Sequence, residues 1–241
     1  MLIDLNVPTH HAPNTSLEPR EAVSAAQALG LDGIAFLDAD STAGREEIQS
    51  LRKDAEIALF YGVEISTDHG RLRCFFPKME ETPEPEALLG PKPEEGWPVR
   101  EAMEKLKAAG AAVVAARPYD RELDRPMGDA LLMLDGLSAV EVLSGQLSHA
   151  ANEHAILAAS HLDLPCVGGS GARSEEEIGR AATLFRDEIA SQRSLVEALT
   201  KGNAWAVWLG ENPRFPGDEA PRRDRRERRG GPRRRRGGPR R

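Results

Sequence analysis

The feature that most constrains this chain is a regular alternation of short apolar runs with segments of helical period. Apolar runs fall at residues 2–5, 34–37, 58–63, 111–115, 139–143, 165–167 and 182–185. Between them lie helical stripes: Ala22, Val23, Ala26 and Leu29 after Pro19, and Val99, Ala102, Met103 and Leu106 before Gly110. Further helices are expected over residues 46–53, 148–161 and 195–201. Strands that are apolar almost throughout are buried on both faces. Such strands imply a largely parallel sheet covered by helices, either a barrel or a doubly wound sheet. Residues 71–76 are expected to fold back on 58–63 as a hairpin across Asp68, His69 and Gly70. Residues 79–97, rich in Pro and Glu, read as an exposed and poorly ordered insertion.

Charge divides the chain unevenly. Its 241 residues hold 32 basic and 39 acidic side chains, a balance of -7. Residues 221–241 carry 12 arginines against Asp224 and Glu227, or +10, which leaves -17 on the first 220. The last 14 residues are one heptad written twice, placing Arg228, Arg229, Arg233 and Arg234 in register with Arg235, Arg236, Arg240 and Arg241. A stretch of Arg, Gly and Pro cannot build a core, so 210–241 is expected to be a disordered basic tail behind a single domain over 1–209. A flexible polycation of this kind suits nucleic acid, RNA foremost, through phosphate neutralisation and arginine stacking. Docking onto its own acidic body is the competing use. Cys74 and Cys166 match no zinc or redox spacing and read as buried thiols. No apolar run is long enough for a membrane span, and no basic-then-apolar leader opens the sequence, so the expectation is a cytoplasmic protein without membrane contact.

In a fold of this class chemistry collects where strands end. Those positions read, in order, DLNVPT (4–9), FLDAD (36–40), GVEIS (62–66), ARP (116–118) and GGSGAR (168–173). With LGLDGIAF (29–36), the series resembles the PHP (polymerase and histidinol phosphatase) domain family over about residues 1–209. The resemblance implies an α/β fold, a distorted (β/α)7 barrel. It also implies two or three divalent metals at the strand ends of active members, which hydrolyse phosphate esters. The family motifs read D-L-H-x-H-T, T-D-H-D, G-x-E, H-P and G-S-D-A-H. Here Asn6 and Pro8 stand at both histidines of the first motif, Ala39 at the histidine of the second and Arg117 at that of the fourth. Gly171 and Arg173 take the aspartate and histidine of the last. Of the ligand positions that align, Glu64 alone keeps its type.

A metal cluster needs convergent imidazoles and carboxylates. Proline, alanine and glycine offer no donor there, and arginine is permanently charged. The expectation is therefore a catalytically degenerate barrel, a pseudoenzyme with no catalytic residue and no cofactor, that binds or scaffolds. Asp38, Asp40 and Glu64 are left as a residual acidic site. Arg117 and Arg173 either neutralise it or capture the phosphate of a small ligand. A protein partner is equally compatible. The alternative is a divergent metal-dependent phosphoesterase acting on nucleotides or oligonucleotides with Zn or Mn. Its site would have to be rebuilt from His10, His11, Glu64 and His69 with the neighbouring aspartates. The turns at Ser144-Gly145 and Gly169-Ser170-Gly171 lack a nucleophile elbow and read as scaffold.

Overall fold

The computed structural model describes residues 1–12 and 15–209; the predicted basic tail lies outside them. Among the described residues nine strands form one sheet: β1 (Leu2–Pro8), β2 (Gly33–Ala39), β3 (Ala58–Thr67), β4 (Gly70–Phe75), β5 (Ala112–Ala116), β6 (Ala139–Ser144), β7 (Cys166–Gly169), β8 (Ala181–Phe185) and β9 (Ala204–Trp208). Their order is β7-β6-β5-β4-β3-β2-β1-β8-β9. The helices are α1 (Pro19–Ala28), α2 (Arg45–Leu51), α3 (Pro85–Leu89), α4 (Val99–Ala108), α5 (His149–His161) and α6 (Gln192–Lys201).

The sheet curls into a nearly closed barrel. At the seam, β7 meets β1: the Gly171 N–H donates to the Asn6 carbonyl at 2.8 Å and the Ser170 N–H to Asp4 at 2.8 Å. A Cβ at Gly169 would lie 2.8 Å from the Asn6 backbone nitrogen, so only glycine lets the strands approach this closely. On the other side of the seam, Thr183 Oγ1 exchanges hydrogen bonds with Gly168 at 2.8 and 2.9 Å. Every strand contributes to the interior cluster, among them Ile3, Leu37, Phe60, Phe75, Val114 and Phe185, and α6 seats Leu195 and Leu199 against it. A second apolar layer packs the outer strand faces under α1, α2, α4 and α5.

Three expectations change. The sheet is mixed: β4 runs antiparallel to both β3 and β5, and β8 antiparallel to β1 and β9. The hairpin itself forms as expected, but the chain after it enters α3 and α4 before returning as β5, which leaves β4 inserted between two parallel runs. Strand β9 was not foreseen; it follows Gly202, whose left-handed φ of +80° turns the chain out of α6. Residues 79–97 carry the short helix α3 and several buried anchors, while residues 91–95 between them stay exposed. Met79, Thr82 and Trp97 are buried, Trp97 Nε1 donates to the Gly90 carbonyl at 2.9 Å, and the Trp97 backbone pairs with Ser66 and Asp68. A few apolar anchors hold this segment down, and its prolines shape it. Cys74 is buried and Cys166 half-buried, both as free thiols. Among the described residues no helix is long and apolar enough to cross a membrane.

Candidate functional site

A cavity of about 280 Å³ opens at the strand ends and is lined by Asn6, Pro8, Ala39, Glu64, Arg117 and Arg173, with Arg71, Asp38 and Asp120 beside them. Five separated sequence motifs thus meet at one mouth, because strands of a barrel deliver their ends to a common rim.

Glu64 sits at the centre. It shares the inward parity of Phe60 on β3, and three guanidinium groups converge on it. Arg71 Nη1 donates at 2.7 Å, Arg117 Nη2 at 3.2 Å and Arg73 Nη2 at 3.3 Å. Burial alone would raise the Glu64 pKa. The fields of Arg117, Arg73 and Arg71 outweigh it and hold the carboxylate at about 2. Arg73, 1% exposed, also donates to Glu141 at 3.1 Å. Glu141 in turn accepts from the Arg117 backbone N–H at 3.0 Å and from Asn6 Nδ2 at 3.3 Å. Arg117 closes the array by donating from Nη1 to Asp120 at 3.1 Å. Its backbone takes a left-handed φ of +44°, a conformation that bends the chain at the end of β5 and swings the guanidinium back over the mouth. Three arginines therefore face three carboxylates, Glu64, Glu141 and Asp120. Arg73 Nε and Nη1 and Arg117 Nε remain buried without partners.

Of the expected acidic remnant, Glu64 alone is held by this array. Asp38 borders the cavity, but it has the parity of Phe36 and its oxygens are spent outward. Tyr61 and Thr9 donate their hydroxyls to it and Gly44 its N–H at 2.6 Å. The Asp38 charge and burial together push the Tyr61 phenol well above its ordinary pKa. Asp40 is not brought to the cavity: its carboxylate accepts from Ser66 at 2.7 and 2.8 Å and from Lys92 at 2.6 Å. Arg173 lines the cavity while exposed, and its guanidinium makes no ion pair among the described residues. The suggested histidine site does not assemble around Glu64. His69 caps the β3–β4 turn beside Asp68 at 3.1 Å, whereas His10 and His11 gather with Glu47 of α2.

Arg71, Arg73, Glu141 and Asp120 escaped the motif reading. The signal was present in part, since Arg71 and Arg73 alternate with Leu72 and Cys74 in a run whose neighbours are buried. A charge repeated at period 2 within a buried strand points into the barrel. What the strand ends present does not fit a divalent cluster. Pro8, Ala39 and Gly171 supply no donor, Glu64 and Asp120 are held by guanidinium groups, and Asp38 is held by two hydroxyls and the Gly44 N–H.

The fold and site together define an α/β protein whose mixed sheet curls into a nearly closed barrel with a polar mouth at its strand ends. The chain belongs to the PHP-domain family. The family model described as PHP-associated matches residues 149–204. The chain is 30% identical over 132 residues to the uncharacterized protein MJ1587 of Methanocaldococcus jannaschii, spanning 55% of this chain and 69% of that one. Among solved structures it resembles PsfC from Pseudomonas syringae, with a TM-score of 0.64 at 15% identity over 88% of this chain and 93% of that one. It also resembles an amidohydrolase from Chromobacterium violaceum (0.59, 17%, over 87% and 98%). A candidate metal-dependent phosphoesterase from Bifidobacterium adolescentis is similar too (0.57, 19%, over 83% and 96%).

Proposed function

We propose that this barrel is a catalytically degenerate PHP protein that binds phosphate-bearing ligands without hydrolysing them. The observation that carries the reading is the convergence of Arg71, Arg73 and Arg117 on Glu64. A divalent ion seated by Glu64 would stand among three fixed positive charges, with no imidazole at positions 6, 8, 39, 117 or 173 to coordinate it. Arg71 and Arg117 are committed to carboxylates, so among the described residues that line the cavity the cation left for a ligand is Arg173, whose planar fork suits an oxyanion. The Chromobacterium amidohydrolase structure holds sulfate and no metal, which sets tetrahedral oxyanions as the class to test first.

The test pairs hydrolysis with binding. With Mn²⁺ or Zn²⁺ supplied, wild type is expected to cleave a chromogenic phosphodiester no faster than Glu64→Gln. Inorganic phosphate is expected to raise the melting temperature of wild type but not of Arg173→Ala. Metal-dependent turnover abolished by Glu64→Gln would restore the phosphoesterase, and equal melting shifts in both proteins would remove the phosphate site.

For the arm at 221–241 the composition supports a second binding element, directed at RNA. Its 12 arginines predict affinity that falls steeply with salt. Filter binding of a single-stranded RNA should be lost on truncation after residue 220. Affinity that survives the truncation, or that ignores added salt, would show that the arm is not the binding element.

A further inference from the structure

Outside the arginine-filled cavity, on its rim, the side chains of His10, His11 and Glu47 bring one donor atom each to within 4.8 Å of one another. We propose that this cluster is a surface site for a borderline divalent cation, Zn²⁺ or its Co²⁺ and Ni²⁺ analogues, independent of the ligand positions of the family motifs.

Two imidazoles and a carboxylate form a donor set suited to such ions, which sit about 2.0–2.2 Å from nitrogen and oxygen ligands. The rings of His10 and His11 are held side by side, with centroids 4.1 Å apart and planes 38° from parallel. His10 Nδ1 is the second observation. The atom is buried and has no hydrogen-bond partner, although Glu47 Oε2 stands 3.6 Å away and Glu18 Oε2 4.0 Å. A buried nitrogen aimed at carboxylates just beyond bonding distance is unsatisfied as it stands, and a cation between them satisfies both.

The site is also braced. The histidine turn is fixed by the Ala12 N–H donating to the Thr9 carbonyl at 2.9 Å, and the Thr9 hydroxyl donates to Asp38. The same Asp38 carboxylate accepts from the N–H of Gly44, the residue that opens α2 and so places Glu47. One buried aspartate thus ties both halves of the cluster to the end of β2, which lowers the ordering cost of bringing three ligands together.

The experiment is equilibrium dialysis of metal-stripped full-length protein against ZnCl₂ at pH 7.5, read by elemental analysis, with Co²⁺ absorption as a spectroscopic report of imidazole ligation. One equivalent per chain is expected in wild type. Binding should fall at least tenfold in His10→Ala and in Glu47→Gln and be unchanged in His69→Ala. All three substitutions are at partly exposed side chains, and an unaltered melting temperature verifies folding. Failure of wild type to take up Zn²⁺, or retention of a full equivalent in the His10→Ala/His11→Ala double variant, would overturn the site. Metal retained in that double variant but lost in Glu64→Gln would lie in the barrel mouth, and would overturn the non-hydrolytic reading of the cavity as well.

Discussion

Glu64 and Arg73 face each other directly across the β3–β4 ladder, and Arg73 reaches from there to Glu141 on β6, with 3.3 and 3.1 Å to the two carboxylates. A guanidinium that is 1% exposed and bridges two strands of the barrel wall ties its polar floor together. The two acids would otherwise repel across the interior, with only Arg71 and Arg117 left to offset them.

Arg73→Met should accordingly destabilise the protein by about 3 kcal/mol, because removing one partner strands buried charge. Equilibrium unfolding in guanidinium chloride at pH 7 measures this. Adding Glu141→Gln to Arg73→Met should recover part of the loss, since one stranded carboxylate is then neutral. A loss below about 1 kcal/mol for Arg73→Met would show that the floor is held by packing alone.

Two carboxyl groups give stability opposite dependences on pH. Glu64 is held at about 2 against an ordinary 4.5, so the unfolded chain binds its proton more readily. Its contribution is full above about pH 4.5 and is lost as pH falls towards 2. Asp4 is fully buried. Burial lifts its pKa from 3.8 to about 6, although Ser170, Gly179 and Asn6 all donate N–H groups to it. The native state keeps this proton while the unfolded chain releases it, so stability should decline as pH rises from about 4 to 6. Urea midpoints across pH 2–7 should show both limbs. Glu64→Gln should flatten the lower one and leave the decline between pH 4 and 6 in place.

Arg117 carries a backbone as well as a charge effect. Its φ of +44° costs an L residue about 1 kcal/mol that glycine does not incur. Arg117→Ala and Arg117→Gly both remove the pairs to Glu64 and Asp120, so both should be less stable than wild type. The glycine variant should nevertheless be the more stable of the two by about 1 kcal/mol. Thermal unfolding of the three proteins side by side tests this, and an alanine variant as stable as the glycine one would show that the turn relaxes without cost.

Much of the barrel was legible along the chain, because apolar runs and helical stripes are local patterns set by side-chain periodicity. Strands β1 to β3, helices α1 and α4 and the Asp68–Gly70 turn stand where those patterns put them. Glu64, Arg117 and Arg173 could be placed at one mouth from motif order alone, since parallel strands end on a common rim. Asp40 could not be assigned from position alone. Its partners Ser66 and Lys92 come from β3 and from a segment that composition marked as loose, and Trp97 anchors that segment through a contact no local rule encodes.

The residue types at the strand ends were settled by the sequence itself. With proline at 8, alanine at 39, glycine at 171 and arginine at 117 and 173, it determined that these positions offer a cation no ligand atom, since a side chain without a donor atom cannot acquire one by folding. Only the tertiary structure decided what fills the space. Arg71 and Arg73 come to Glu64 because β4 runs antiparallel beside β3, and Glu141 arrives from nearly 80 residues further along the chain. Pairing of that range depends on strand order and register, which arise when the whole sheet closes and which no single segment specifies.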